Sequence, residues 1–167
     1  MKRSTPMTDK VSLWKEAIVK FLDRERHSIT LFEFTVNDLT YTGRKRRKPR
    51  LRFDAIAFNP FRVGTTSPIR VLEMKSSRRD FLSDKKWRGY VPYSSQFGFI
   101  CRAGVILPHD LPKGIGLFYI EGAKIVKQAE WTVRTISKEH REAVTHRLHS
   151  RAVGLLYEKS LKGLVTI

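Results

Sequence analysis

Arg50-Leu51-Arg52-Phe53-Asp54-Ala55-Ile56-Ala57-Phe58 and Ile69-Arg70-Val71-Leu72-Glu73-Met74-Lys75 are the stretches whose reading decides the fold. Both are short and rich in branched or aromatic residues, which is the pattern of β-strands. Asn59 to Pro68 between them holds Pro, Gly and Ser and reads as a loop, so the two strands form a hairpin. Successive strand side chains point to opposite faces, so Glu73 and Lys75 share a face, and pairing lets Asp54 share it too.

Upstream, Leu13, Trp14, Ala17, Ile18, Phe21 and Leu22 recur at helical spacing within residues 8–24, with Thr8 or Asp9 available as cap. Residues 28–36 alternate as a strand, with Phe32, Phe34 and Val36 expected on one side and Leu31, Glu33 and Thr35 on the other. Downstream, Ser77 with Asp80 three residues later resembles a capping box that opens a helix running to about Trp87. Gln96 to Cys101, Gly116 to Ile120 and Ala123 to Lys127 read as strands, the last two joined by a turn at Glu121-Gly122. A closing helix is expected from about Ser137 to Lys159, on the spacing of Val144, Leu148, Ala152, Leu155 and Leu156. The expectation is one α/β domain over 1–167, a central mixed sheet flanked by helices in the core order α-β-β-β-α-β, with 1–7 a flexible start.

Composition bounds the partners. The chain has 167 residues, 41% of them apolar, and carries 33 Lys and Arg against 16 Asp and Glu, a formal charge of +17. A folded domain so basic is drawn to polyanions, and DNA is the first expectation. The cations are spread over strands and loops rather than along one amphipathic helix, and no apolar run reaches membrane-spanning length, so no membrane partner is expected. A single cysteine, Cys101, excludes an internal disulfide and a Cys-based zinc cluster. These features together suggest a cytoplasmic, nucleoid-associated protein.

Two carboxylates and a lysine on paired strands are what a metal-dependent nuclease needs. Asp54 and Glu73 would hold Mg²⁺ or Mn²⁺ with open positions for water and a phosphate oxygen, and Lys75 would deprotonate a water or neutralise the reacting phosphate. The bland alternative is a solvated cross-strand ion pair. It is disfavoured because Glu73 and Lys75 sit in a mostly apolar strand, where ionic groups are costly without a partner. Glu33 and Glu16 are candidates for an additional acid, although Glu16 falls opposite the apolar face of its helix. Arg44, Lys45, Arg46, Arg47 and Lys48 form a basic loop suited to gripping phosphate, and Arg78, Arg79, Lys85 and Lys86 follow Lys75 closely enough to contribute. The amides opening the second helix would add an anion site. Trp87, Tyr90 and Tyr93 offer stacking surfaces, with core packing the more common use.

The pattern Asp54…Glu73-Met74-Lys75 resembles the signature of the PD-(D/E)XK nuclease superfamily, with Phe53 where the signature has proline. More narrowly, Val71 to Ser77, then Asp80-Phe81, Asp84-Lys85-Lys86-Trp87, Tyr90, Tyr93 and Phe97 to Phe99, is similar to the MmcB-like DNA repair family. The resemblance runs over roughly residues 8–160. It implies a restriction-endonuclease-like fold, Asp54 and Glu73 as metal ligands with the Met74 backbone carbonyl, Lys75 as catalytic lysine, and hydrolysis of DNA phosphodiesters. Two other readings stay open: a non-catalytic DNA-binding module of the same fold, and a basic RNA-binding protein. Cleavage with and without chelator separates the first reading from the others, and DNA-versus-RNA competition separates those two.

Overall fold

The computed structural model describes residues 7–23, 28–39, 49–59 and 67–161. Helix α1 (Met7–Leu22) is followed by β1 (Ile29–Asn37), β2 (Arg50–Phe58) and β3 (Arg70–Lys75). Helices α2 (Arg78–Ser83) and α3 (Trp87–Tyr90), the latter continuing into a 3-10 turn (Val91–Tyr93), lead to β4 (Gln96–Cys101). Strands β5 (Gly116–Glu121) and β6 (Lys124–Ala129) precede the closing helix α4 (Lys138–Leu161). The six strands form one open sheet in the order β1-β2-β3-β4-β5-β6. Its β1-β2, β2-β3 and β5-β6 pairs are antiparallel, and β3-β4 and β4-β5 are parallel.

Helices cover both faces because both are apolar. Ala17, Ile18 and Leu22 of α1 pack on Ala55, Ala57, Leu72, Ile100 and Phe118. The alanines, lacking bulk, leave room for the helix. On the opposite face Phe81, Trp87, Tyr90 and Tyr93 from the β3-β4 connection, with Val144 and Leu148 of α4, cover Phe53, Ile56, Val71, Phe97 and Phe99. Where β4 meets β5, Gly98 is opposite Gly116, and a Cβ on Gly116 would lie 2.7 Å from the Phe118 ring.

Three expectations change. Strand β1 does not alternate cleanly: Leu31, Phe34 and Val36 join the α2/α3 face while Phe32 packs against α1. The break lies at Glu33, the one non-glycine residue with positive φ (52°) among those described. Strand β2 breaks phase at the opposed position, since Leu51, Phe53, Ile56 and Phe58 share one face and Ala55 and Ala57 the other, leaving Asp54 at the break. The expected single helix to Trp87 is two helices. The Asp84 carboxylate accepts the Lys86 N–H at 2.8 Å and the chain turns at 84–86 before helix resumes. At the start of α2 the Asp80 N–H donates to Ser77 Oγ and the Ser76 N–H to Asp80 Oδ2, so Ser77 caps the helix as the sequence led one to expect. The basic run 44–48 and residues 1–6 lie outside the described residues, as does most of the β2-β3 loop; Met7 already belongs to α1.

Candidate active site

The β2-β3 ladder pairs Ala57 with Arg70, Ile56 with Val71 and Ala55 with Leu72, and there it stops. Asp54 and Glu73 occupy the next opposed positions, where the strands part. Side chains replace the missing ladder bonds. Glu73 Oε1 accepts from the Asp54 N–H at 3.3 Å, and Asp54 Oδ2 accepts from the Met74 N–H at 2.8 Å. This reciprocal exchange draws both carboxylates into one fork at the end of the ladder. The phase break at Asp54 is what turns it there, because a residue in regular alternation would join the apolar ranks above or below the sheet.

Lys75 lies beyond the fork on the same face as Glu73, as strand alternation requires. Its Nζ is 2.6 Å from Asp84 Oδ2 and 3.9 Å from Glu73 Oε2. Glu73 and Lys75 are 4% and 6% exposed, so these charges are largely withdrawn from water. Around them is a groove of about 830 Å³ with an acidic base and a basic rim. Asp38, Asp54, Glu73, Asp80 and Asp84 line it, and Arg50 and Arg52 on one wall face Lys85 and Lys86 from the α2-α3 corner.

Burial, followed by the charge of Asp54, pushes the Glu73 carboxyl up to about 8, against which Lys75 acts only in part. Burial also raises Asp54, although the Met74 N–H, Lys75 and Arg52 oppose the rise. Burial alone would depress Lys75, but the hydrogen bond and charge of Asp84, joined by Glu73, raise it above its ordinary value. Asp84 is lowered because the hydrogen bonds from Lys75 and the Lys86 amide outweigh its burial. Tyr90, on the groove wall, is pushed up to about 12 by burial and the Glu73 charge.

Asp54, Glu73 and Lys75 therefore meet in space as the sequence led one to expect. The two candidate extra acids do not join them: Glu16 and Glu33 are exposed and neither lines the groove. Of the four cations after Lys75, only Lys85 and Lys86 reach it. Arg78 is engaged by Asp110, with Nη2 2.7 Å from Oδ1 and Nη1 closing on Oδ2, and Arg79 is exposed away from the groove. Trp87 stacks on Phe97, and Tyr93 is buried with its hydroxyl donating to Asn37 O and accepting from Leu39 N–H, so neither ring is free to stack bases. Sequence reasoning missed Asp84 as the partner of Lys75, and Arg50 and Arg52 as groove cations. The alternation Arg50-x-Arg52-x-Asp54 was a usable signal for the arginines.

Among the described residues no group of three His, Cys, Asp or Glu side chains gathers to hold a metal. The fork offers two hard carboxylates, a donor set that fits Mg²⁺ or Mn²⁺ with retained waters better than zinc. No described helix is long and apolar enough to cross a membrane.

Nothing among the curated proteins matches the chain. A solved structure of similar fold is the SPO1766 protein of unknown function from Silicibacter pomeroyi, with 22% identity and a TM-score of 0.60 over 89% of this chain and 88% of that chain. At that identity the likeness concerns the fold alone. The family model described as DNA repair protein MmcB-like matches residues 50–161, from the first residue of β2 to the end of α4, and so takes in the fork, Lys75 and the groove cations Arg50, Arg52, Lys85 and Lys86. The chain belongs to the MmcB-like family of DNA repair proteins.

Proposed function

We propose that this protein is a metal-dependent DNA nuclease of the PD-(D/E)XK type, with a restriction-endonuclease-like core, acting in DNA repair. The observation that carries the reading is the convergence of Asp54, Glu73 and Lys75 where the β2-β3 ladder ends, under a basic rim. Asp54 and Glu73 would hold Mg²⁺ or Mn²⁺, with the Met74 carbonyl a further oxygen beside them. When bound there, the ion supplies Lewis-acid polarisation of a phosphate oxygen and lowers the pKa of a bound water. The burial that raises both carboxyl groups suits them to a cation, since a divalent charge offsets what burial costs the ionised forms. Lys75, held protonated by Asp84, serves as a fixed positive charge for the phosphoryl oxygens rather than as a base. Arg50, Arg52, Lys85 and Lys86 would position the backbone of the strand to be cut.

A non-catalytic DNA-binding module is the second reading, and one observation favours it: each fork carboxylate already accepts a backbone N–H, which is a structural use. Incubating the purified protein with plasmid, duplex, branched and single-stranded DNA in Mg²⁺ or Mn²⁺, with and without chelator, decides between them. Chelator-sensitive cleavage supports the nuclease. Tight binding with no cleavage of any of the four gives the binding module, and preference for RNA over DNA in matched salt sets both aside.

A further inference from the structure

The Lys75 ammonium lies within reach of two competing carboxylates and sides with the one outside the fork, 2.6 Å from Asp84 and 3.9 Å from Glu73. An ammonium is a compact point charge on a flexible stem, and among buried carboxylates it settles on whichever offers the strongest fixed partner. Asp84 is such a partner. It caps the end of α2, its other oxygen accepts the Lys86 amide at 2.8 Å, and it is 13% exposed at the side chain, so it is fixed by the corner it builds.

We infer that Asp84 is a positioning residue that draws the Lys75 ammonium off the Asp54–Glu73 fork and so keeps the fork open to a divalent cation. Without the Asp84 charge, Glu73 is the remaining acid within ion-pair distance of Nζ, and Lys75 would close on it as an internal counter-ion. The lysine of the site would then compete with the metal for the same oxygens. Asp84 also lies immediately before Lys85 and Lys86, so the corner that fixes the ammonium is the one that presents the two groove cations. Asp80, which lines the groove nearby, is engaged by the Ser76 amide and hydroxyl and does not replace Asp84 as a direct partner.

The inference rests on the metal-site reading above, and its test separates the two. Mn²⁺ binding to the full chain is measured by calorimetry for wild type, Asp84→Asn, Lys75→Met and the double variant. Asn keeps an acceptor for the Lys86 amide and removes only the charge. Asp84→Asn is expected to weaken Mn²⁺ binding by roughly tenfold to a hundredfold, the usual cost of losing an outer partner of a metal site. The same change in the Lys75→Met background should have little effect, because the competitor is gone. A purely structural role for Asp84 would weaken binding equally in both backgrounds, and that result overturns the inference. Wild type that binds no Mn²⁺ sinks the metal-site reading instead. The position of Lys75 is then read directly from a crystal structure of Asp84→Asn grown with chelator. Nζ in hydrogen-bond contact with Glu73 upholds the displacement; Nζ still beside residue 84 refutes it.

Discussion

Helix α2 stands between two charge clusters built from the same residue types with opposite results. Near its first turn, one guanidinium meets one carboxylate: Arg78 forms a forked pair with Asp110, and that hydrogen bond holds the Asp110 carboxyl down at about 2. Past its last turn, one ammonium faces three carboxylates: Lys75 has Asp84 and Glu73 beside it, with Asp54 behind, and burial together with Asp54 lifts Glu73 to about 8. The first cluster is a balanced pair whose guanidinium is open to water. The second gathers three carboxyl groups around one cation, so ionising all of them leaves negative charge that Lys75 cannot neutralise, a condition that an external cation would relieve. A surface pair adds little to stability, whereas an unbalanced buried cluster is costly to the fold and marks a site.

Chemistry is where the contrast should be widest. Asp54→Asn or Glu73→Gln is expected to reduce Mg²⁺-dependent cleavage by about a hundredfold to a thousandfold, the scale seen when one group stabilising the transition state is removed. DNA affinity measured in chelator should hardly change. Asp110→Asn should leave the cleavage rate at the wild-type level. A loss of cleavage in Asp110→Asn matching that in Glu73→Gln would erase the distinction.

Stability should respond next, and with opposite signs. The folded Glu73 titrates at about 8 against an ordinary 4.5, so the metal-free fold binds its proton more tightly than the unfolded chain does. Its stabilising contribution is fully present below pH 4.5 and is lost as pH rises through about 8. Glu73→Gln removes that loss. In urea titrations without metal, the variant should be the more stable by a few kcal/mol at pH 9, since each tenfold change in proton affinity is worth about 1.4 kcal/mol, and the gap should shrink toward pH 5. Saturating Mn²⁺ should raise wild type toward the variant. An equal midpoint at pH 9 would mean that the fork carries no such strain.

Affinity for DNA should change less. Replacing Lys85 and Lys86 together by Ser removes two cations from the groove wall and leaves the fork intact. The slope of log affinity against log salt should fall by roughly 0.9 for each duplex phosphate no longer neutralised, or about 0.7 on a single strand. Arg79→Ser, away from the groove, should leave the slope unchanged.

How far these clusters could be foreseen differs. Glu73 and Lys75 obeyed strand alternation, and Asp54 was found from its strand, so the convergence was legible. The route by which Asp54 arrives was not: alternation alone cannot announce a phase break, and at Glu33 no Gly or Asn marked the positive φ that accompanies it. Asp84 was quoted in the motif but its partner was hidden, because a helix carried through to Trp87 would have faced it elsewhere; only the turn at 84–86 brings its carboxylate back onto Lys75. Arg78 illustrates the converse. Its place after Lys75 suggested phosphate binding, and nothing local foretold Asp110, 32 positions away, as its partner.

The smallest effect belongs to the balanced pair itself. Asp110 is lowered to about 2 by the Arg78 hydrogen bond, with the Leu107 N–H adding to the effect, so here the folded state holds its proton less tightly than the unfolded chain. Its contribution is present above the ordinary 3.8 and is lost as pH falls through about 2. Asp110→Asn should therefore be slightly less stable than wild type at pH 7, with the difference vanishing as pH approaches 2, the reverse of the Glu73→Gln trend. Because Arg78 is open to solvent, added salt should shrink the difference further, while the Glu73→Gln gap at pH 9 should persist. Parallel urea titrations at low and high salt check this. A difference at Asp110 as large as that at Glu73, or as indifferent to salt, would show that the two clusters are one kind of interaction and that imbalance of charge is not what sets the groove apart.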